Sequence, residues 1–152
     1  MSAVEDRNKA LVTRWFEEVW NQGRIERLAD FRAPDAVATG LGNCESRGDA
    51  PFQAMYSNLR ETLPDLHISI DDIMAEGDRV AVRITLEGTH TGAALGASPS
   101  GRKISVPALI IARIVDGKIA QAWNSIDRLS LLLQIGALPD GAVQDDFLIA
   151  RP

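Results

Sequence analysis

The chain has 152 residues, of which 45% are hydrophobic and 24% charged, and this composition is typical of one globular domain rather than of a disordered chain. Its 16 Lys and Arg are scattered among 21 Asp and Glu, so the formal net charge is −5. Nucleic acids and anionic membranes attract a clustered positive surface, which this sequence lacks. We therefore expect a single domain over residues 1–152 that binds neither.

The sequence predicts a cytoplasmic protein by elimination. Its N-terminal segment carries Glu5 and Asp6 where a secretory signal has basic residues, and it lacks the continuous apolar region of such a signal. No stretch approaches the ~20 apolar residues that span a bilayer. The single cysteine, Cys44, excludes an intramolecular disulfide framework.

Three amphipathic helices are predicted in the first part of the chain. The first covers Val4–Gln22, with Ser2 and Glu5 as a capping box at its start. The second covers Ile25–Phe31, and the third begins at the N-cap Asp49 and ends before the proline at position 64. Each helix carries an apolar stripe at helical spacing, so each must lie on an apolar surface.

From residue 66 the apolar residues alternate, which predicts antiparallel strands. The strands cover residues 66–71, 79–87, 103–115 and 118–126, and a short helix follows at 129–135. Helices followed by a strand meander indicate the α+β class. The strand 103–115 is apolar on both sides, so we expect both of its faces to be covered. Because one layer of helices covers one face, the other face predicts a homodimer or a higher homo-oligomer.

Five short motifs in the second half of the chain carry a family resemblance. They are E-G-T-H-T-G at 87–92, P-S-G-R at 99–102, D-G-K-I at 116–119, W-N-S-I-D at 123–127 and L-L-Q-I-G at 132–136, with Gly96 between the first two. In this order they resemble the SnoaL-like family of ester and polyketide cyclases, within the nuclear transport factor 2-like superfamily. The resemblance covers about residues 8–138.

The resemblance implies a fold and a reaction. The implied fold is a curved antiparallel sheet wrapped around the N-terminal helices, an α+β cone or barrel with an internal apolar pocket. Characterised relatives close rings of polyketide esters by an intramolecular aldol reaction without a cofactor, and the substrate delocalises its own enolate, so no metal is required. We therefore expect a cofactor-independent acid–base enzyme acting on a small hydrophobic, polyketide-like carbonyl compound. The alternatives are a hydroxylase, a hydratase, an isomerase, or a binding domain without catalysis.

Asp127 is the acid that best matches the proton-transferring residue of the family. A carboxyl group in an apolar pocket can remove and return a proton, because desolvation disfavours its charged form. Asp127 also precedes a predicted helix, and Asp is a preferred N-cap, so the sequence leaves both roles open. Some relatives carry an acid directly after the tryptophan, where this chain has Asn124.

The register of the hairpin around residues 116–117 decides which side chains accompany Asp127. With a two-residue loop, Arg113 pairs with Ala120 and faces away from Asp127. With a three-residue loop and a G1 bulge, which we predict, one face carries Leu109, Ile111, Arg113, Gln121, Trp123 and Asp127. Family members often present His and Gln from this middle strand, where the present chain has Ile111 and Arg113.

The remaining candidate residues belong to a pocket between the first helix and the last two strands, where the helix stripes meet the sheet. The predicted substrate-binding residues are Trp15, Phe52, Met55, Tyr56, Leu109, Ile111, Gln121, Trp123 and Asn124. Arg113 is a candidate donor to a developing enolate or alkoxide oxygen. His90, in a Gly-rich loop, is structural, solvated or, as the family motif suggests, a catalytic residue at the pocket mouth.

Overall fold

The computed structural model describes residues 2–41, 45–93 and 97–139, so Cys44 and Gly96 lie outside the described residues. Its helices are α1 (Ala3–Arg14), α2 (Leu28–Phe31), α3 (Asp49–Thr62) and α4 (Arg128–Gln134), with a π-helical segment (Trp15–Asn21) after α1 and a 3₁₀ turn (Ile25–Arg27) before α2. Its strands are β1 (Arg32–Thr39), β2 (Ser46–Arg47), β3 (His67–Glu76), β4 (Arg79–Thr89), β5 (Lys103–Val115) and β6 (Lys118–Ile126). The predicted strands 103–115 and 118–126 are confirmed.

The first helix begins as predicted but changes its winding in the middle. The capping box is present, because the backbone N–H of Glu5 donates to the Ser2 hydroxyl and the backbone N–H of Ser2 donates to the Glu5 carboxylate. From Trp15 onward the segment is π-helical, and the backbone N–H of Gln22 donates to the carbonyl of Glu17, five residues earlier, at 2.9 Å. π-Helical turns are rare and concentrate at functional sites.

The third helix differs from the prediction at its N-terminus. Its N-cap is Gly48, at φ 86, and Asp49 is the first helical residue. The Asp49 carboxylate does not cap the helix, because it accepts a hydrogen bond from Nη1 of Arg32 at 3.2 Å instead. Asp49 therefore connects α3 to the start of β1.

The six strands form one curved sheet in the order β2-β1-β6-β5-β4-β3, which remains open between β2 and β3. All neighbouring strands are antiparallel except β1 and β6, which run parallel. The N-terminal helices lie against one face of this sheet, which we call the inner face, and they bury Val12, Trp15 and Phe16 there. The predicted α+β fold, with the sheet wrapped around N-terminal helices, is confirmed. No helix within the described residues is long and apolar enough to cross a membrane.

The β5–β6 hairpin corrects the predicted loop. Val115 pairs with Lys118 across a two-residue loop, in which Asp116 and Gly117 have φ 50 and 73. Positive φ at both positions is the geometry of a type I′ turn, so the predicted three-residue loop with a G1 bulge is wrong. The irregularity lies one step later, since Ile114 pairs with Ile119 but Arg113 pairs with Gln121, which leaves Ala120 as the extra residue.

The bulge at Ala120 sets the two faces of the sheet. It places Leu109, Ile111, Arg113, Gln121 and Trp123 on one face, as we predicted, but this is the outer face, turned away from the helices. Leu109 is 60% exposed and Ile111 is 43% exposed there. The expectation that β5 is covered on both faces is therefore wrong for a single chain, because the helices cover the inner face alone.

Candidate functional site

An apolar cavity lies between the helices and the inner face of the sheet. The volume that the centre of a water molecule can occupy in it is about 90 Å³. By the same measure, one water molecule needs ~10–15 Å³. Its described lining is Val12, Trp15, Phe16, Trp20, Arg32, Ala38, Leu41, Phe52, Met55, Leu59, Ile68, Ile84, Leu86, Ile110, Ala112, Ile119, Ala122, Asn124 and Ile126. The predicted pocket between the first helix and the last two strands is confirmed.

Aromatic side chains from the π-helical segment and α3 form one wall of the cavity. The ring centroids of Trp15 and Phe52 are 5.4 Å apart, and those of Trp20 and Phe52 are 5.9 Å apart. Behind them, the Tyr56 hydroxyl donates a hydrogen bond to the Val19 carbonyl at 2.7 Å. Burial raises the pKa of the Tyr56 hydroxyl, which therefore remains a proton donor at neutral pH. This contact ties α3 to the π-helical segment and fixes the orientation of the wall.

Arg32, the first residue of β1, brings a positive charge to this wall. Its Nη1 donates to the Gly48 carbonyl at 2.9 Å and to the Asp49 carboxylate at 3.2 Å, and its Nη2 donates to the Ala36 carbonyl at 3.3 Å. The guanidinium carbon lies 4.8 Å from the centroid of the Phe52 ring, within the range of a cation–π contact. The side chain is only 4% exposed.

Burial lowers the pKa of the Arg32 guanidinium from its ordinary value, while the charge and hydrogen bond of Asp49 oppose that change. Arginine remains protonated over the whole range in which proteins are folded, so the group stays a cation. Among the described residues that line the cavity, Arg32 is the one with an ionisable side chain. The other polar side chain that the strands contribute is Asn124, whose Nδ2 donates to the Thr39 carbonyl at 2.9 Å.

The predicted substrate-binding residues divide between the two faces of the sheet. Trp15, Phe52, Met55 and Asn124 line the cavity, as predicted. Tyr56 is buried behind the aromatic wall and does not line the cavity. The other four, Leu109, Ile111, Gln121 and Trp123, lie on the outer face, so their predicted position in the pocket is wrong. The grouping of these residues on one face was predicted correctly, but β5 is apolar on both sides, and the helices cover the opposite face, which carries Ile110, Ala112 and Asn124.

Asp127 and Arg113 lie away from the cavity. Asp127 is exposed and is the N-cap of α4, where its carboxylate accepts the backbone N–H of Ser130 at 2.9 Å. Arg113 is half-exposed on the outer face, and its Nε donates to the Asp78 carboxylate at 3.0 Å. This hydrogen bond is the main reason why the pKa of Asp78 is lowered. Neither residue lies in an apolar pocket that excludes water, which is where we predicted acid–base catalysis to take place.

His90 holds the loop after β4 in place. It is fully buried, and the backbone N–H of Ser100 donates to its Nδ1 at 3.2 Å. Its backbone also pairs with the far side of the loop, because its N–H donates to the Arg102 carbonyl and its carbonyl accepts the N–H of Gly101. His90 is therefore neither solvated nor part of the described lining of the cavity.

The comparison with protein families decides what kind of protein encloses this cavity. The model of the SnoaL-like polyketide cyclases matches residues 10–135. The chain belongs to the SnoaL-like polyketide cyclase family. This match spans the helices, the sheet and α4, and it confirms the resemblance of the five motifs.

This SnoaL-like protein is similar to named cyclases and to solved structures of the same fold. The aklanonic acid methyl ester cyclase DnrD of Streptomyces peucetius is 28% identical over 128 residues, which are 82% of this chain and 88% of DnrD. AclR of Streptomyces galilaeus, a proposed hydroxylase, is 32% identical with a TM-score of 0.80, and the match covers 93% of this chain and 87% of AclR. A proposed SnoaL-like polyketide cyclase from Jannaschia sp. CCS1 is 28% identical with a TM-score of 0.83, over 91% of this chain and 98% of that one.

Arg32 of this SnoaL-like protein was not predicted to be a site residue. The residue lies in an A-P-D-A context that has little strand propensity, so β1 was not predicted and Arg32 had no assigned place. One signal was available. Phe31 was assigned to the apolar stripe of an amphipathic helix, and an arginine directly after a buried aromatic residue needs a partner if it is buried too.

Proposed function

We propose that this protein is a cyclase-type enzyme that binds a hydrophobic, polyketide-like carbonyl compound in the inner cavity and closes a ring in it. The observation that carries the proposal is the enclosed cavity with its aromatic wall and few polar groups, which is the usual form of a small-molecule site. The family supports the reaction, because the relative DnrD is named an aklanonic acid methyl ester cyclase.

The cavity can accelerate an aldol ring closure by holding the substrate in a folded conformation. In this reaction a proton leaves a carbon beside one carbonyl, the resulting enolate carbon bonds to a second carbonyl carbon, and the alkoxide formed there takes up a proton. A well-oriented intramolecular reaction gains several orders of magnitude in rate from restricted geometry alone. The described lining contains no carboxyl group, so we propose that water or the acidic hydroxyl groups of the substrate carry the proton. No cofactor takes part in this scheme.

A second reaction is favoured by one specific observation. AclR, which is 32% identical over most of its length, is a proposed hydroxylase. Asn124 lies in the cavity at the position directly after the tryptophan, where some cyclase relatives have an acid. An amide side chain cannot exchange a proton near neutral pH. Hydroxylation of a bound polyketide by molecular oxygen, with two electrons from an external reductant and water as the second product, would not require that acid. The protein would then use the same cavity for a different step.

Mass spectrometry of the product distinguishes the two reactions. The purified protein is incubated in air with aklanonic acid methyl ester, the substrate named for its relatives, in the presence and absence of NADPH as a two-electron reductant. An aldol ring closure leaves the molecular mass unchanged and changes the chromatographic retention, whereas hydroxylation adds one oxygen atom. A protein that binds the ester without converting it would contradict both reactions and leave a binding function.

A matched pair of variants ties the activity to the cavity. Ala122→Phe places a ring in the cavity, because Ala122 lines it, and we expect the activity to be lost. Ala54→Phe adds the same ring on the exposed side of α3 and should retain the activity. Full activity in Ala122→Phe would show that the reaction takes place elsewhere.

The same proposal includes self-association through the outer face of the sheet. Met74, Leu109 and Ile111 are large apolar side chains exposed on that face, around a groove that Trp123 also lines. Contiguous apolar surface of this kind marks interaction sites. A two-fold dimer would cover the groove with the same surface of a second copy.

A further inference from the structure

Arg32 has donors that the fold does not use. A guanidinium has five N–H groups, and three of them take part in the hydrogen bonds to Gly48, Asp49 and Ala36. The Nε–H and one Nη2–H have no partner among the described residues. The side chain is almost completely buried and forms part of the cavity lining, so a ligand in the cavity would lie next to it.

The ion pair with Asp49 involves Nη1 of the guanidinium and not its Nε. The carboxylate contacts Nη1 at a single distance of 3.2 Å, and the Asp49 side chain is 40% exposed, so solvent screens its charge. The remaining described lining contains no other ionisable side chain. A cation in an otherwise apolar wall is costly unless its donors are satisfied, and a ligand oxygen can satisfy them.

A purely structural role explains only part of this arrangement. Arg32 does connect β1 to the N-terminus of α3, and this requires Nη1 and the Nη2 bond to Ala36. Arg27, by comparison, uses its Nε for the exposed Asp30 carboxylate and its Nη1 for the largely buried Glu18 carboxylate, and it does not line the cavity. The place of Arg32 in the cavity lining, with its Nε–H and one Nη2–H left without a partner among the described residues, is what a binding role adds.

We propose that Arg32 binds a negatively charged oxygen of the ligand, a carboxylate or an enolate or phenolate conjugated to an aromatic ring. The inference rests on the proposed function, since it assigns a ligand class to the same cavity. Hydrogen bonds to an ionised oxygen are about twice as strong as neutral ones. The cavity therefore selects flat aromatic acids over neutral molecules of the same shape.

The test compares two ligands of one shape by isothermal titration calorimetry. 2-Naphthoate has the anionic oxygens, and 2-naphthamide replaces them with a neutral amide. We expect the wild-type protein to bind the naphthoate about tenfold or more tightly than the amide. In Arg32→Gln the two affinities should become equal, with the amide bound as before. Arg47→Gln removes a positive charge from exposed β2 without touching the cavity, and should retain the preference.

Each outcome separates the inference from the proposed function. Equal affinities in the wild-type protein, or a preference that survives Arg32→Gln, would contradict the role of Arg32 and leave the cavity as a ligand site. Failure of the wild-type protein to bind either ligand would contradict the cavity and the inference together. If Arg32→Gln does not fold, a crystal structure with 2-naphthoate decides. The carboxylate must lie within hydrogen-bond distance of the Arg32 Nε, and any other position overturns the proposal.

Discussion

Asp127 combines a family position with a plain structural role. Its carboxylate accepts the backbone N–H of Ser130 and caps α4 in an exposed setting. Asn is as good an N-cap as Asp, so we expect Asp127→Asn to keep both the stability and the activity of the protein. Asp127→Ala removes the cap and should cost about 1 kcal/mol of unfolding free energy, again without loss of activity. Urea unfolding and the product assay measure the two effects.

A catalytic Asp127 gives a different result in the same experiment. If Asp127 transfers the proton, Asp127→Asn should fold normally and lose at least about 100-fold in rate, because a general acid–base group contributes about that much or more. Such a loss would contradict the account in which the cavity lining carries the function.

The sequence predicted which residues share a face of the sheet, but not which face lies against the helices. Trp15, Phe52 and Met55 follow from helical spacing, which places them correctly. The strand residues could not be placed in the same way, because β5 is apolar on both sides and its pattern does not distinguish the covered face from the exposed one. The wrong choice of face moved Trp123 out of the cavity, whereas Asn124, on the opposite face, lies in it.

At the scale of elements, the chain directly after β1 lies close to β6 at Asn124, which lines the cavity. Gly40 has φ 81, and a Cβ atom there would collide with the backbone oxygen of Asn124. Gly40→Ala therefore adds about 1–2 kcal/mol of backbone strain to about 1–3 kcal/mol for the displaced strand. We expect a clear loss of unfolding free energy in urea and weaker ligand binding, because Asn124 moves with the strand.

Gly101 supplies the matched control for Gly40. It has φ 68, and a Cβ atom there would meet nothing within 4 Å. Gly101→Ala should show the backbone strain alone, with ligand binding unchanged. Equal destabilisation by the two substitutions would show that the contact between Gly40 and Asn124 does not constrain the sheet.

The elements that the sequence predicted are those with a strong local signal. The capping box, the 116–117 turn and the alternation in β4 and β5 specify their elements directly. β1 was missed because its ends are set by pairing with β6, and its A-P-D-A segment has no strand periodicity. The π-helical winding at Trp15 was missed as well, since the spacing of its buried residues suits an ordinary helix equally well.

At the scale of the whole molecule, the two faces of the sheet differ in what covers them. The inner face encloses the cavity, while the outer face exposes Leu109 and Ile111. We expect the protein to be a dimer at micromolar concentration and Leu109→Glu to be a monomer, because a charge in an apolar interface must be desolvated. Light scattering coupled to size-exclusion chromatography measures both.

A second exposed apolar residue controls for the change in surface charge. Val4 is 47% exposed on α1 and does not line the groove of the outer face, so Val4→Glu should leave the dimer intact. A wild-type protein that is monomeric at micromolar concentration would refute self-association through this face.

The central claim is that the substrate site is the inner cavity and not the outer groove. A crystal structure of the protein with aklanonic acid methyl ester bound tests it most directly. The account predicts the ligand between the aromatic wall of Trp15, Trp20 and Phe52 and the inner face of the sheet, with an oxygen beside Arg32. A ligand bound on the outer face, against Leu109 and Trp123, would contradict it.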